Sequence, residues 1–423
     1  MKLTRLLLYF LLLTLPLGQL GRLPLGSEYV NLYLPDVLIP LIIFVWLGYA
    51  LGIRKKLELP PLANFIFLFG FVALISLANG KRFIGLGEFI VSAMYLVRWL
   101  LYAGLYFVVW DKEISNLRSQ ISNLLILSGV ILALAGFVQL MVLPDFTKLD
   151  PELGWDPHKN RLASTFFDPN FAGAYLVLTL VLLFSELLHK GAKARPQRPQ
   201  AGLRGGRGTK GVKDLVLGFL GVVVFVALIL TFSRSAWLMF AVAMGVLGVL
   251  KSRKLLILAL VAFLAAYALV PRVQTRIAGG VDPDDSARAR ITSWKATFKI
   301  IKDHPLVGIG FNAFRYAQAR YGFFGFREPL GGRAGAGSDS SLLLVLATTG
   351  IVGLIAFLLL GFKALWPVWL KRADPLALAT LAGFAGLLVE SNFINSLFYP
   401  WIMVWMWVTL ALAGSQSKIK NSK

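Results

Sequence analysis

Residues 341–362 read SLLLVLATTGIVGLIAFLLLGF, a stretch without one charged side chain. Coiled as an α-helix it is about 33 Å long at 1.5 Å per residue, enough to cross a hydrocarbon layer of about 30 Å. A helix that is apolar all round must be buried all round, and a bilayer does this without a protein shell. Working outward, comparable runs recur near 6–20, 36–53, 62–79, 88–110, 121–143, 169–188, 214–232, 236–250, 255–271, 375–391 and 399–414. The pattern predicts an all-α integral membrane protein with about twelve transmembrane helices, a single polytopic domain over 1–423. Composition agrees: 57% of residues are apolar, 15% are charged and mean hydropathy is +0.72, against roughly 25% charge in soluble domains.

The first run follows Lys2 and Arg5 and has the length of a signal peptide. No small-residue cleavage pattern precedes Gly21 or Arg22, so it is read as a retained first helix. A net charge of +22 would suggest nucleic acid in a soluble protein, but here the cations punctuate the apolar runs. The N-terminus, Arg54–Lys56, Lys112 and Arg118, 189–213, Lys251–Lys254, Lys363–Arg372 and the tail hold 24 of the 43 Lys and Arg, all on one side of the alternation. The positive-inside rule makes that side cytoplasmic, with both termini inside and no nucleic-acid partner expected.

Two loops stand out. Residues 189–213 carry eight basic residues and no acid among Pro and Gly, which reads as a flexible cytoplasmic loop near anionic headgroups, serving chiefly as a topology signal. Residues 272–340 form a long external loop with eleven basic residues, and loops of that length usually carry function. Within it 286–303 reads as an amphipathic helix: Ile291, Trp294, Phe298 and Ile301 recur at helical spacing, Lys295, Lys299 and Lys302 share another face, and Asp284 and Asp285 stand near its start. It either lies among membrane lipid headgroups or also covers a lipid-linked substrate.

Guanidinium groups at the outer ends of helices suit a pyrophosphate, because their forks match phosphate oxygens bidentately. Arg161 in RLASTFFDPNFAG, Arg234 in TFSRSAW and Arg290 in RITSW hold such positions, with Asp168 or Asn170 as candidate caps for the helix after the first. Each alone also fits an interfacial snorkelling residue. Arg98, in mid-span, needs a partner at that depth; Glu390 is one candidate, and a structural pair fits as well as a substrate contact. There are no cysteines, His158, His189 and His304 are scattered, and no nucleotide fingerprint is present, so no metal, nucleotide or other cofactor is expected. GIGFNAF, at 308–314, reads as a glycine-containing turn.

RLASTFFDPNFAG, TFSRSAW, RITSWKATFKIIKDHPLVGIGFNAF and DSSLLLVLATTGIVGLIAF, in this order over 161–357, resemble the O-antigen ligase and polymerase superfamily of integral-membrane glycosyltransferases. The resemblance implies a lipid-linked-sugar transferase (GT-C type) architecture in a bacterial inner membrane. It implies a polyprenyl-pyrophosphate-linked glycan as donor, with a glycan or lipid as acceptor. It assigns Arg234 and Arg290 to the pyrophosphate and matches Arg161 to a recurrent arginine of less definite role. The ligases' His-Asn at the end of the long loop is replaced here by Asp339 and Ser340. Asp339 is then either the base for the acceptor hydroxyl or the N-cap of the next helix, with His304 as the fallback base. Polymerase-like members often carry an acid at this place, which moves the expectation from ligase towards polymerase. A ligase, a transporter or flippase, and an inactive glycan-lipid binder are the competing readings.

Overall fold

A computed structural model describes residues 1–24, 31–148, 158–192, 207–281, 284–324 and 337–415. Every predicted apolar run forms a helix: α1 (Lys2–Thr14, continued by a 3-10 turn to Gly21), α2 (Leu34–Gly48), α3 (Ala63–Gly80), α4 (Leu86–Trp110), the short α5 (Lys112–Ser115), α6 (Arg118–Val142), α7 (Pro169–Ala192), α8 (Arg207–Leu230), α9 (Arg234–Leu250) and α10 (Arg253–Leu269). Three helices, α11 (Pro271–Val281), α12 (Asp285–Asp303) and α13 (Phe314–Arg320), occupy the long loop, and α14 (Ser341–Leu370), α15 (Pro375–Glu390) and α16 (Pro400–Gly414) complete the bundle. A two-residue ribbon, Leu23–Pro24 with Asn31–Leu32, is the only sheet among the described residues. The middle of the basic loop, 193–206, and residues 282–283 and 325–336 of the long loop lie outside the described residues.

Among the described residues, seven helices are long and apolar enough to cross a membrane by length and composition, eight with the bent pair α10–α11. Four more, in α8, α9, α15 and α16, are apolar but shorter. The protein is a multi-pass membrane protein. Its lipid-facing character shows best on α10, where Ile257, Leu258, Leu260, Val261 and Leu264 are exposed and only Ala259 is buried; a soluble protein does not leave such a stripe open. The interior is built by α7, α9, α15 and α16, the last almost wholly buried, while α14 leans on α3 and α16 on α4.

The two ends of the bundle sort chemically. At one end Arg5 pairs with Glu113 (3.3 Å), Arg54 with Asp111 (2.9 Å) and Arg118 with Asp374, and Lys371 Nζ donates to the carbonyls of Gly414 and Ser415. These belong to the basic segments that the sequence groups on one side. The polar loops carrying Arg161, Arg234 and Arg290 meet at the opposite end.

Three features depart from the sequence reading. The chain turns by 100° between α10 and α11, where a span followed by loop is expected. Val270 is extended, as a residue before proline tends to be, and Pro271 restarts the helix at its first position. α14 runs eight residues beyond 362 and is broken at Gly350 (φ +66°). Pro305–Gly310 fills the break: Ile351 N donates to Pro305 O (2.8 Å), Ile309 N to Ala347 O (3.1 Å) and Gly310 N to Thr348 O (3.0 Å). Thus GIGFNAF is a turn whose glycine at 308 (φ +69°) lies against the Thr348 carbonyl, where a Cβ would collide. Finally, α13 is a helix that the sequence reading did not include, while α12 buries Thr297 and Ile300 and leaves Ile291 and Phe298 exposed.

Candidate functional site

The α8–α9 turn is short because Ser233 caps α9, accepting from Ala236 N, while its Oγ donates to Asn170 Oδ1 (2.8 Å). This places Arg234 on the first turn of α9, at the rim of the bundle. Its Nη2 meets Asp284 Oδ1 at 2.7 Å. Asp284 is also the N-cap of α12, accepting from Ala287 N (3.0 Å), and its Oδ2 takes Arg276 Nη1 of α11 at 3.2 Å. One carboxylate therefore ties α9, α11 and α12 together. Burial would raise the pKa of Asp284, but Arg234, the Ala287 amide and Arg276 overcome it and hold it below the usual carboxylate value.

Arg161 stands behind this turn. Its Nε donates to Thr231 O (2.9 Å) and its Nη2 approaches Asn170 Oδ1 (3.4 Å), so it braces the loop that presents Arg234. The cap of α7 is Asp168, which accepts from Asn170 N (2.7 Å), and not Asn170 itself.

Arg290, on α12, donates Nε to Phe393 O (3.1 Å) and forms no direct ion pair among the described residues. Burial pulls its pKa down from the ordinary arginine value; Asp339 and Asp168 oppose this and Arg234 adds to it. The same neighbourhood thus holds three guanidiniums, with Arg234 lowering the proton affinity of both Arg276 and Arg290, and Arg290 lowering that of Arg276.

Asp339 is half-buried, has a left-handed backbone (φ +50°), and its carbonyl accepts from Trp294 Nε1 (3.4 Å). The N-cap of α14 is Ser340, whose Oγ accepts from Leu343 N (3.3 Å). The capping explanation for Asp339 is therefore removed, and the residue lies close enough to Arg290 to act on that guanidinium. The adjacent floor is locked: Ser341 N donates to Ser391 O (2.7 Å), and a Cβ on Gly337 would collide with the Asn395 amide.

Two expected residues lie elsewhere. Arg98 does not pair with Glu390: its Nη2 binds Asp36 Oδ2 (2.7 Å) and Asn31 O (2.6 Å), while Tyr102 donates to Asp36 Oδ1 (3.0 Å). This pair between α2 and α4 borders a separate, mostly apolar cavity of ≈ 370 Å³. His304 caps the far end of α12 and packs edge-on against Phe83 (4.7 Å). It is ten residues, or about 15 Å of helix, from the Trp294 that touches Asp339.

Two groups were not read as part of the site. Arg276 lies on α11, a helix with no apolar run to announce it. Glu390 is wholly buried where α15 ends, and neither carboxylate oxygen has a hydrogen-bond partner among the described residues; Asp168 and Arg290 are its charged neighbours. Below it, an apolar groove of ≈ 490 Å³ runs between α14, α15 and α16, from Leu342, Leu388 and Leu397 down to Trp369 and Leu410.

The fold and this end of it define a helical membrane protein with a cationic seat beside a carboxylate and a lipid-facing groove leading away. Residues 219–358 match the family described as O-antigen ligase, which supports placing the chain in the O-antigen ligase and polymerase superfamily. Members are glycosyltransferase-like enzymes that act on lipid-linked glycans. The match takes in Arg234, Arg276, Asp284, Arg290 and Asp339 and leaves out Arg98, Arg161 and Glu390. A comparison with curated proteins finds no match.

Proposed function

We propose that this protein transfers glycan from a polyprenyl-pyrophosphate carrier to an acceptor sugar at the outer face of a bacterial inner membrane, in the manner of a polysaccharide polymerase with GT-C type architecture. The observation that carries the reading is the convergence of Arg234, Arg290 and Asp339, from three separate parts of the chain, at the end of the bundle away from the basic segments. All twelve apolar helices, the shorter ones included, then cross the bilayer, and both termini are cytoplasmic.

In this scheme Asp339 accepts the proton of the acceptor hydroxyl as its oxygen bonds to the anomeric carbon. The bond from that carbon to the pyrophosphate oxygen breaks, and Arg234 and Arg290 stabilise the charge that develops on the leaving group. Guanidinium groups supply the electrostatic help, in place of a metal ion. Arg161 is a positioning residue for Arg234. The groove under Leu342 and Leu397 accommodates the isoprenoid chain, whose burial there leaves the pyrophosphate at the cationic rim. The exposed Ile291 and Phe298 of α12 rest in the headgroup layer.

The acid at 339 favours chain growth, whereas the matched family's description favours transfer of finished glycan to a lipid or protein acceptor. Proteoliposomes supplied with polyprenyl-pyrophosphate oligosaccharide separate these readings: a product ladder means polymerase and a single transferred unit means ligase. Sugar moved across the bilayer without a new covalent bond would mean a carrier. Orientation is tested separately in this cysteine-free chain. Lys302→Cys, on the exposed face of α12, should react with an impermeant maleimide in intact cells; reaction only after the inner face is opened would overturn the assignment.

A further inference from the structure

Asp284 is gripped by two guanidinium groups, one per oxygen: Arg234 Nη2 on Oδ1 at 2.7 Å and Arg276 Nη1 on Oδ2 at 3.2 Å. Two arginines on two oxygens of one anion is also the arrangement that recognises a phosphoryl group. Neither arginine depends on the carboxylate for its place. Arg276 Nε is held by Phe232 O (3.2 Å), and Arg234 Nη1 approaches the Arg276 carbonyl at 3.4 Å. The backbone of α11 comes close because residue 279 is glycine; a Cβ there would lie 2.9 Å from Asp284 Oδ2 and 3.3 Å from Arg234 Nη1. The seat is shaped around a small anion, and withdrawing the carboxylate would leave both guanidiniums facing the vacated space.

Resting on the pyrophosphate reading of Arg234 above, we infer that Arg276 is a further pyrophosphate-binding residue and that the Asp284 carboxylate occupies one phosphoryl seat until the donor displaces it. A tethered carboxylate sets a threshold. A pyrophosphate diester brings two phosphoryl charges and can bridge Arg234, Arg276 and Arg290, so it displaces Asp284. The single-charge phosphodiester of a bulk phospholipid competes poorly. The carboxylate therefore selects against the abundant lipid, specificity obtained by raising the cost of the wrong ligand.

Inorganic pyrophosphate binding to the purified full-length protein, measured calorimetrically at fixed ionic strength, tests this. Asp284→Asn keeps the cap on α12, since Asn caps as well as Asp, and should tighten pyrophosphate about 10-fold, while the loss of the two ion pairs lowers the melting temperature of the free protein. Arg276→Gln should weaken it about 10-fold, and Arg276→Lys should restore part of the loss. An Asp284→Asn protein with wild-type affinity, or an Arg276→Gln protein with wild-type affinity, overturns the inference. Arg234→Ala separates the two levels: if it weakens binding while the other variants do not, only this inference falls. If Arg234→Ala also binds as the wild type does, the pyrophosphate reading itself fails.

Discussion

Arg98 and Arg290 are both largely withdrawn from solvent, yet their surroundings differ in kind. Arg98 meets a carboxylate at 2.7 Å and a carbonyl at 2.6 Å, the carboxylate is further satisfied by Tyr102 and the Tyr33 amide, and the aromatic rings of Tyr33 and Tyr95 cover the guanidinium. Every partner lies on α2, α4 or the short segment before α2. Arg290 has a single backbone carbonyl as its hydrogen-bond partner among the described residues, and the carboxylates of Asp339, Asp168 and Asp284 act on it without direct pairing. A charge closed off by its own protein holds helices together. On the function proposed above, a charge left with donors to spare, among other cations, is arranged for a ligand that arrives from outside.

The largest effect should come from opening the closed pair. Arg98→Met strands Asp36 in the interior and should lower stability by about 3–5 kcal/mol, while Arg98→Met with Asp36→Leu should recover most of it. Thermal unfolding in detergent reads this, and transfer per folded molecule should not change. A specific loss of transfer in the double variant would erase the contrast between the two arginines.

Asp339→Asn sharpens the other side. Asn adopts a left-handed backbone as readily as Asp, and Ser340 caps α14 in either case. Stability should hold while transfer falls by about 100-fold or more. Asp339→Ala should lose transfer equally and about 1 kcal/mol of stability as well, for the strained φ. Transfer retained in the Asn variant would remove Asp339 as the base and direct attention to Glu390. His304→Ala should give the smallest effect, within about twofold of the wild type, because it lies at the far end of α12.

The helices were legible because each apolar run is unbroken and its ends are marked by charge or proline; α12 was legible from Asp284 and the spacing behind it. What sequence could not give was which faces meet. Arg98 and Asp36 are far apart in the chain, and Glu390, near the outer end of its span, stood as a candidate partner instead. α11 escaped because its apolar residues are few, with Val273 and Ile277 one turn apart among two arginines and two glycines, although Pro271 marked its start. The break in α14 rests on one glycine whose partner strand, 305–310, comes from another part of the chain. In the site, the order of motifs pointed to Arg234, Arg290 and Asp339, but that Ser340 and not Asp339 caps α14 required its hydroxyl to be located.

The most direct test of the central claim, that Arg234 and Arg290 hold a pyrophosphate leaving group, is transfer from polyprenyl-pyrophosphate oligosaccharide by purified protein in proteoliposomes, with products sized by gel. Wild-type protein should form covalent product. Arg234→Ala and Arg290→Ala should each reduce it by about 2–3 kcal/mol of transition-state stabilisation, roughly 30-fold to 150-fold, with Lys restoring only part because it lacks the fork. Full transfer by both alanine variants at normal protein levels would contradict the account.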